Sequence, residues 1–187
     1  MAEGAQVEIL GICGSLRKAS YNRAALHEAA KLAPEGVGIE MADISQIPPY
    51  DEDVHVKGFP PAVETFRREI AAADALLFAT PEYNYSMSGV LKNAIDWASR
   101  PPNQPFAGKP VAMLGASMGM FGTARAQHHL RQVCVFLDMH PLNRPEVMIA
   151  TAQNKFDANG ELTDEATRGF IAAQVAALRD WALRLRS

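Results

Sequence analysis

Ile9-Leu10-Gly11-Ile12-Cys13-Gly14-Ser15-Leu16-Arg17-Lys18-Ala19-Ser20-Tyr21-Asn22 carries the first strand, loop and helix start of the chain, and the architecture follows from it. Its first half is an apolar, branched run close to the N-terminus, the pattern of a parallel-sheet strand buried on both faces. Gly14 ends the run, and Ser15, Ser20 and Asn22 follow with Arg17 and Lys18 among them. A helical pattern begins at Arg23. A strand, a short loop of hydroxyls, amides and cations, and a helix N-terminus together suit a phosphate monoester. Unpaired N–H groups and the positive end of the helix dipole face the anion, and a guanidinium adds a two-pronged contact. The loop lacks the Lys-Ser/Thr ending of a P-loop and the spaced glycines of a dinucleotide fingerprint. From this loop alone an ordinary βα turn, with Ser20 capping the helix and Arg17 solvated, stands beside the phosphate reading.

Outward from this stretch, strand and helix patterns alternate five times. Val7 to Cys13 is the first strand. Arg23 to Leu32 is a helix with an apolar face of Ala25, Leu26, Ala29, Ala30 and Leu32. Val37 to Met41 is the second strand. Asp43 to Pro61 is a long connection with no regular structure expected around Pro48-Pro49-Tyr50-Asp51. Helices over Ala62–Ala73, Val90–Ser99 and Thr123–Asp138 alternate with strands over Ala75–Thr80, Val111–Ala116 and Val147–Ala150. Asn159-Gly160 is a turn, and Thr163 caps a last helix whose buried stripe is Ile171, Val175, Leu178, Ala182 and Leu185. Such alternation predicts one α/β domain over residues 1–187: a flavodoxin-like three-layer sandwich with a five-stranded parallel sheet in the order 2-1-3-4-5. Ligands then bind between strands one and three, at the carboxyl ends.

The composition excludes several classes. A net charge of −3 with no basic run argues against a nucleic-acid partner. Apolar runs are strand-sized, so no membrane span is expected. Met1-Ala2-Glu3-Gly4 lacks the cationic start of a signal peptide. Cys13 and Cys134 read as reduced, buried thiols without a CxxC, and a cytoplasmic location is expected. His128 and His129 are adjacent, so on a helix they point about 100° apart; no metal site is expected. No G-x-S-x-G elbow supports a hydrolase, and the Lys92–Asp96 pair reads as a structural i,i+4 contact.

Two further loops join the first at the same end of the sheet. Pro81-Glu82-Tyr83-Asn84-Tyr85-Ser86-Met87-Ser88-Gly89 combines flat apolar rings with amides, the mixture that a flavin ring requires. Ser117-Met118-Gly119-Met120-Phe121-Gly122 is small enough for close backbone approach and apolar enough to wall a ring. The three loops sum to a phosphate socket beside a flat slot, with Tyr50 as a possible addition from the long connection.

Gly14-Ser15-Leu16-Arg17-Lys18-Ala19-Ser20-Tyr21-Asn22, Pro81-Glu82-Tyr83-Asn84-Tyr85-Ser86 and Gly89-Val90-Leu91-Lys92-Asn93-Ala94-Ile95-Asp96-Trp97 resemble the NAD(P)H-dependent FMN reductases, nearest the bacterial quinone and chromate reductases. The resemblance runs from Val7 to about Ala150. It implies tightly bound FMN, NADPH or NADH as co-substrate, and two-electron reduction of small acceptors such as quinones, flavins, chromate, azo dyes or ferric chelates. By motif, Ser15, Arg17, Ser20 and Asn22, with Tyr21 among them, hold the FMN phosphate. Pro81, Glu82, Tyr83, Asn84, Tyr85 and Ser86 hold the ribityl chain and ring, and Ser117, Met118 and Gly119 close the site. The family usually has proline where this chain has Ser88, which predicts a kept but looser loop. The helix after Gly122 resembles a subunit-contact helix and implies a homodimer or homotetramer, with Arg125 and Glu146 pairing across a tetramer contact. No catalytic side chain is expected, since the flavin carries the chemistry. The alternatives are a flavodoxin-type electron carrier without pyridine-nucleotide activity and a non-catalytic scaffold on the same fold.

Overall fold

The computed structural model describes residues 6–186, so the reading of Met1-Ala2-Glu3-Gly4 lies outside the described residues. Strand β1 (Val7–Cys13) is central. It pairs in parallel with β2 (Val37–Ala42) on one side and β3 (Ala75–Ala79) on the other. β3 pairs with β4 (Pro110–Ala116), and the order is β2-β1-β3-β4-β5, all parallel. This is the expected flavodoxin-like order.

The fifth position departs from expectation. It consists of two pieces, β5 (His140–Pro141) and β6 (Val147–Ile149), both paired with β4. Pro141 and Pro145 bracket the gap, and proline cannot donate to a ladder. Side chains take over as donors there: Gln174 Nε2 donates to the carbonyls of Met113 and Pro145, each at 2.9 Å.

Side chains alternate across the sheet and divide the core in two. Val7, Ile9, Ala75, Leu77, Ala112 and Leu114 pack under α1 (Tyr21–Lys31) and α6 (Glu165–Arg186). Leu10, Ile12, Leu76, Phe78, Val111 and Met113 pack on the other face, with apolar residues of α3 (Pro61–Ala72), α4 (Gly89–Ala98) and α5 (Ala124–Phe136). The central strands β3 and β4 are therefore buried on both faces, which is why they read as unbroken apolar runs, whereas the edge strand β2 is only half-buried.

Local corrections follow from capping. α1 begins at Tyr21, two residues earlier than the pattern suggests, because Ser20 Oγ accepts the N–H of Arg23 at 3.3 Å. α6 is capped by Asp164, whose Oδ1 accepts the N–H of Thr167 at 3.0 Å; Thr163 instead bonds the Lys155 carbonyl. Leu185, expected in the buried stripe, is exposed in the last turn of α6. The long connection holds a short helix, α2 (Glu52–His55), capped by Asp51. Tyr50 does not join the loops. Its N–H donates to Asn93 Oδ1 at 2.7 Å and its ring stands edge-on to Trp97, on the flank of α4.

Candidate functional site

The three loops lie together at the carboxyl end of β1, β3 and β4, and hydrogen bonds tie each to another. The loops after β1, β3 and β4 are the first, third and fourth loops; Gly14 N–H donates to Ala79 O at 2.8 Å, so the first leaves the sheet against the start of the third. A Cβ at Gly14 would come within 3.0–3.2 Å of Ser88 Oγ, Pro81 Cδ and Leu91 Cβ, which explains the glycine. Ser88 Oγ–H donates to Gly14 O at 2.6 Å and accepts the N–H of Leu91 at 3.3 Å, capping α4. Where the resemblance implies proline, Ser88 thus makes a buried tie between the two loops that a proline cannot make.

In the first loop Ser15 and Ser20 are buried, while Leu16, Arg17, Lys18 and Ala19 are exposed. Among the described residues neither Arg17 nor Lys18 has an acidic partner. The first N–H groups of α1 have no partner within the helix. Arg17 leans over the Tyr21 ring, 5.9 Å from its centroid, and Tyr21 rests on Phe156 with centroids 5.2 Å apart. The loop therefore presents cations, hydroxyls and free amides at a helix N-terminus, a donor set that fits a phosphate monoester. A groove of about 670 Å³ adjoins it, running along α1 from Arg17 to Lys31 and closed by residues 157–161.

Asn22 does not point at this socket. Its Nδ2 donates to Ala116 O at 2.9 Å and its Oδ1 accepts the N–H of Ala116 at 2.8 Å. The buried amide pins α1 to the end of β4, so its side chain is structural and only its backbone N–H faces the loop's end of the helix. Glu82 is likewise diverted. Its Oε2 accepts the N–H groups of Arg125 and Ala126 at 3.1 and 3.3 Å, capping α5, and its Oε1 pairs with the Arg125 guanidinium. The guanidinium that the motif assigns to a partner's glutamate thus also has an ion pair within the chain.

Pro81 is buried under the third loop, and beyond it Tyr83 and Ser86 exchange both backbone hydrogen bonds, at 2.9 and 3.0 Å, around Asn84 and Tyr85. The rings of Tyr83 and Tyr85 are exposed, as are Met118, Met120 and Phe121 of the fourth loop, and the Arg125 guanidinium lies over the rings of both Tyr85 and Phe121. Such a group of apolar side chains at a strand end marks a binding surface. Ser117 N–H donates to Ile149 O and Gly119 O accepts the N–H of Thr151, so the base of the fourth loop is rigid. Gly122 lies at φ 52, where a Cβ would collide with the Met148–Ile149 backbone. His129, which sequence reading weighs only as a metal candidate and does not place here, reaches this site: its Nδ1 lies 3.0 Å from Ser86 Oγ. Lys92 and Asp96 form the expected i,i+4 contact, with Nζ–Oδ1 2.7 Å.

Cys13 sits where β1 meets the first loop, its Sγ 3.5 Å from Ser15 O, and burial pushes its thiol up. Cys134, on the core side of α5, is pushed up to about 12 by the same desolvation. Both are free thiols.

The sequence profile of NADPH-dependent FMN reductases matches residues 7–154, which carry all three loops. The chain belongs to this family. It is 69% identical over 180 residues to an NAD(P)H-dependent FMN reductase of Pseudomonas aeruginosa, covering 96% of this chain and 97% of that one. An NAD(P)H:quinone oxidoreductase of Solanum tuberosum is 50% identical, covering 100% and 98%. Among solved structures FerB, a flavoenzyme NAD(P)H:(acceptor) oxidoreductase from Paracoccus denitrificans, superposes with a TM-score of 0.86 at 35% identity, covering 95% of this chain and 98% of that one. Among the family's loops in this chain, Ser88, Glu82 and Asn22 act by binding other parts of the protein. Among the described residues no helix is long and apolar enough to cross a membrane.

Proposed function

We propose that the protein is an FMN-dependent NAD(P)H oxidoreductase that reduces quinones and similar small acceptors. The observation that carries this reading is the union of three tied loops. A cationic socket at the start of α1 lies beside a rigid turn and an exposed aromatic wall, at the switch point between β1 and β3. Ser15, Ser20, Arg17 and the first N–H groups of α1 hold the phosphate. The backbone of 81–86 holds the ring, and Ser117, Met118 and Gly119 close its edge. Bound FMN supplies hydride acceptance from NAD(P)H and two-electron delivery to the acceptor. The exposed side chains of Tyr83, Tyr85, Met118 and Phe121 would wall that ring from water, in a single slot shared by the two substrates. One face serves both substrates in turn, so the kinetics are ping-pong.

The assembly is a homodimer or homotetramer. In support, α5 exposes Val135 and Phe136 (81% and 84%) beside a groove of about 650 Å³ lined by Met87, Ile95, Val133 and Phe136. An apolar patch of this kind suits a second copy. The two free thiols suit a reducing compartment such as the cytoplasm.

The test is steady-state oxidation of NADPH and NADH by the purified, FMN-loaded protein with benzoquinone as acceptor. Turnover with parallel double-reciprocal lines is expected. Intersecting lines overturn the shared face. A protein that binds no FMN overturns the whole reading, and one that binds FMN without oxidising either nucleotide is an electron carrier.

A further inference from the structure

The turn Tyr83–Ser86 adopts a backbone that its sequence does not favour. Asn84 and Tyr85 lie at φ 51 and 68 between residues that exchange both backbone hydrogen bonds. This is the geometry of a type I′ turn, whose usual sequence is Asn-Gly. Asn84 tolerates it. Tyr85 is an outlier, because a Cβ in the left-handed region crowds the following carbonyl. A residue so placed persists only where its surroundings over-determine it.

One face of α5 supplies those surroundings. Glu82, immediately before the turn, caps α5 and pairs with Arg125. The Arg125 guanidinium lies 3.8 Å over the Tyr85 ring and 4.6 Å over that of Phe121. It is therefore stacked between the third and fourth loops. His129, one helical turn further on, meets Ser86. The residue before the turn and the last two within it are each gripped from α5.

We infer that Arg125, held by Glu82, is a positioning residue that clamps Tyr85 in the left-handed conformation and so pre-forms the turn that receives the flavin ring. The inference rests on the reading of 81–86 as the flavin loop. Without the clamp the turn relaxes to conformations that Tyr85 prefers, and ring binding must re-form it. The clamp acts on the ring and not on the phosphate, so its loss weakens FMN and riboflavin alike. Glycine at position 85 takes positive φ freely, so Tyr85→Gly uncouples the turn from Arg125.

The experiment compares apo-protein of wild type, Arg125→Met, Tyr85→Gly and the double variant. It measures amide exchange at Tyr83 and Ser86, titration with FMN and with riboflavin, and thermal unfolding. Arg125→Met is expected to speed exchange of both amides and to weaken both flavins about tenfold, or ~1.4 kcal/mol, with a smaller effect of the same substitution in the Tyr85→Gly background. Should Arg125→Met not fold, Glu82→Gln removes the ion pair, keeps a capping oxygen and carries the same expectations. Unchanged exchange at Tyr83 and Ser86 overturns the clamp. Faster exchange with unchanged flavin affinity overturns its positioning role, as does an equal effect of Arg125→Met with glycine at 85. If wild type binds neither flavin, the flavin reading falls, and with it the positioning role; amide exchange still decides whether Arg125 holds the turn.

Discussion

The hydroxyl of Ser88 donates to the carbonyl of Gly14 at 2.6 Å, across 74 residues of sequence. This one bond joins the loop after β1, proposed to receive a phosphate, to the loop after β3, proposed to receive a ring. Ser88 also caps α4, and it is fully buried. Ser88→Ala is therefore expected to cost about 1–2 kcal/mol, read from urea denaturation of the apo-protein. Ser88→Pro is expected to recover part of this, because the serine already sits at φ −65, where proline is pre-organised.

Arg17 has no acidic partner among the described residues and stands in an exposed loop. Arg17→Ala is expected to weaken FMN by roughly ten- to hundredfold, from about 1.5–3 kcal/mol for a hydrogen bond to a charged group. Riboflavin, lacking the phosphate, should bind wild type and variant equally, and apo-protein stability should barely change. Fluorescence titration with both ligands checks this. An equal loss for riboflavin means that Arg17 is not a phosphate ligand.

Asn22 gives the opposite pattern. Its amide satisfies both backbone groups of Ala116 inside the protein. Asn22→Ala strands a buried donor and a buried acceptor, and is expected to destabilise the apo-protein by about 2–4 kcal/mol. Denaturation without any flavin present is the measurement. A fully stable variant would return Asn22 to the list of phosphate ligands.

Cys134 makes stability fall in alkali. Its thiol has an ordinary value of 9.0 and burial raises it to about 12 in the folded chain. Below pH 9 both states hold the proton and the contribution is complete. Above pH 9 the unfolded chain ionises first, so stability is lost by about 1.4 kcal/mol per pH unit up to the folded value. Urea midpoints of wild type and Cys134→Ala should therefore converge, or cross, as pH rises from 8.5 to about 10.5. Parallel midpoints across that range would show an exposed thiol.

The places where expectation and structure part company share a cause. β1 matches its predicted span residue for residue, and α3 and α4 differ by one residue at each end, because apolar period and capping are local properties. The fifth strand is divided because Pro141 and Pro145 interrupt its ladder, and the remaining apolar run, Val147–Ile149, hides the first piece. Asn22 and Glu82 carry the polarity expected of ligands, and sequence reading places them in the site, while it places Arg125 at a subunit contact. Their partners lie 94 and 43 residues away. Nothing near them in the chain distinguishes a side chain aimed at a ligand from one aimed at a neighbouring loop.

The alternation of strand and helix, the parallel sheet that alternation requires, and the three loops whose residue types resemble those of FMN reductases are all legible along the chain. They follow from hydrophobic period and from motif. That Ser88 binds Gly14, that Asn22 binds Ala116, and that Arg125 is held by Glu82 over Tyr85 emerges only once the chain is packed. A hydrogen-bonding side chain takes whichever partner the packing of the sheet brings within about 3 Å, and that packing joins residues which the sequence keeps far apart.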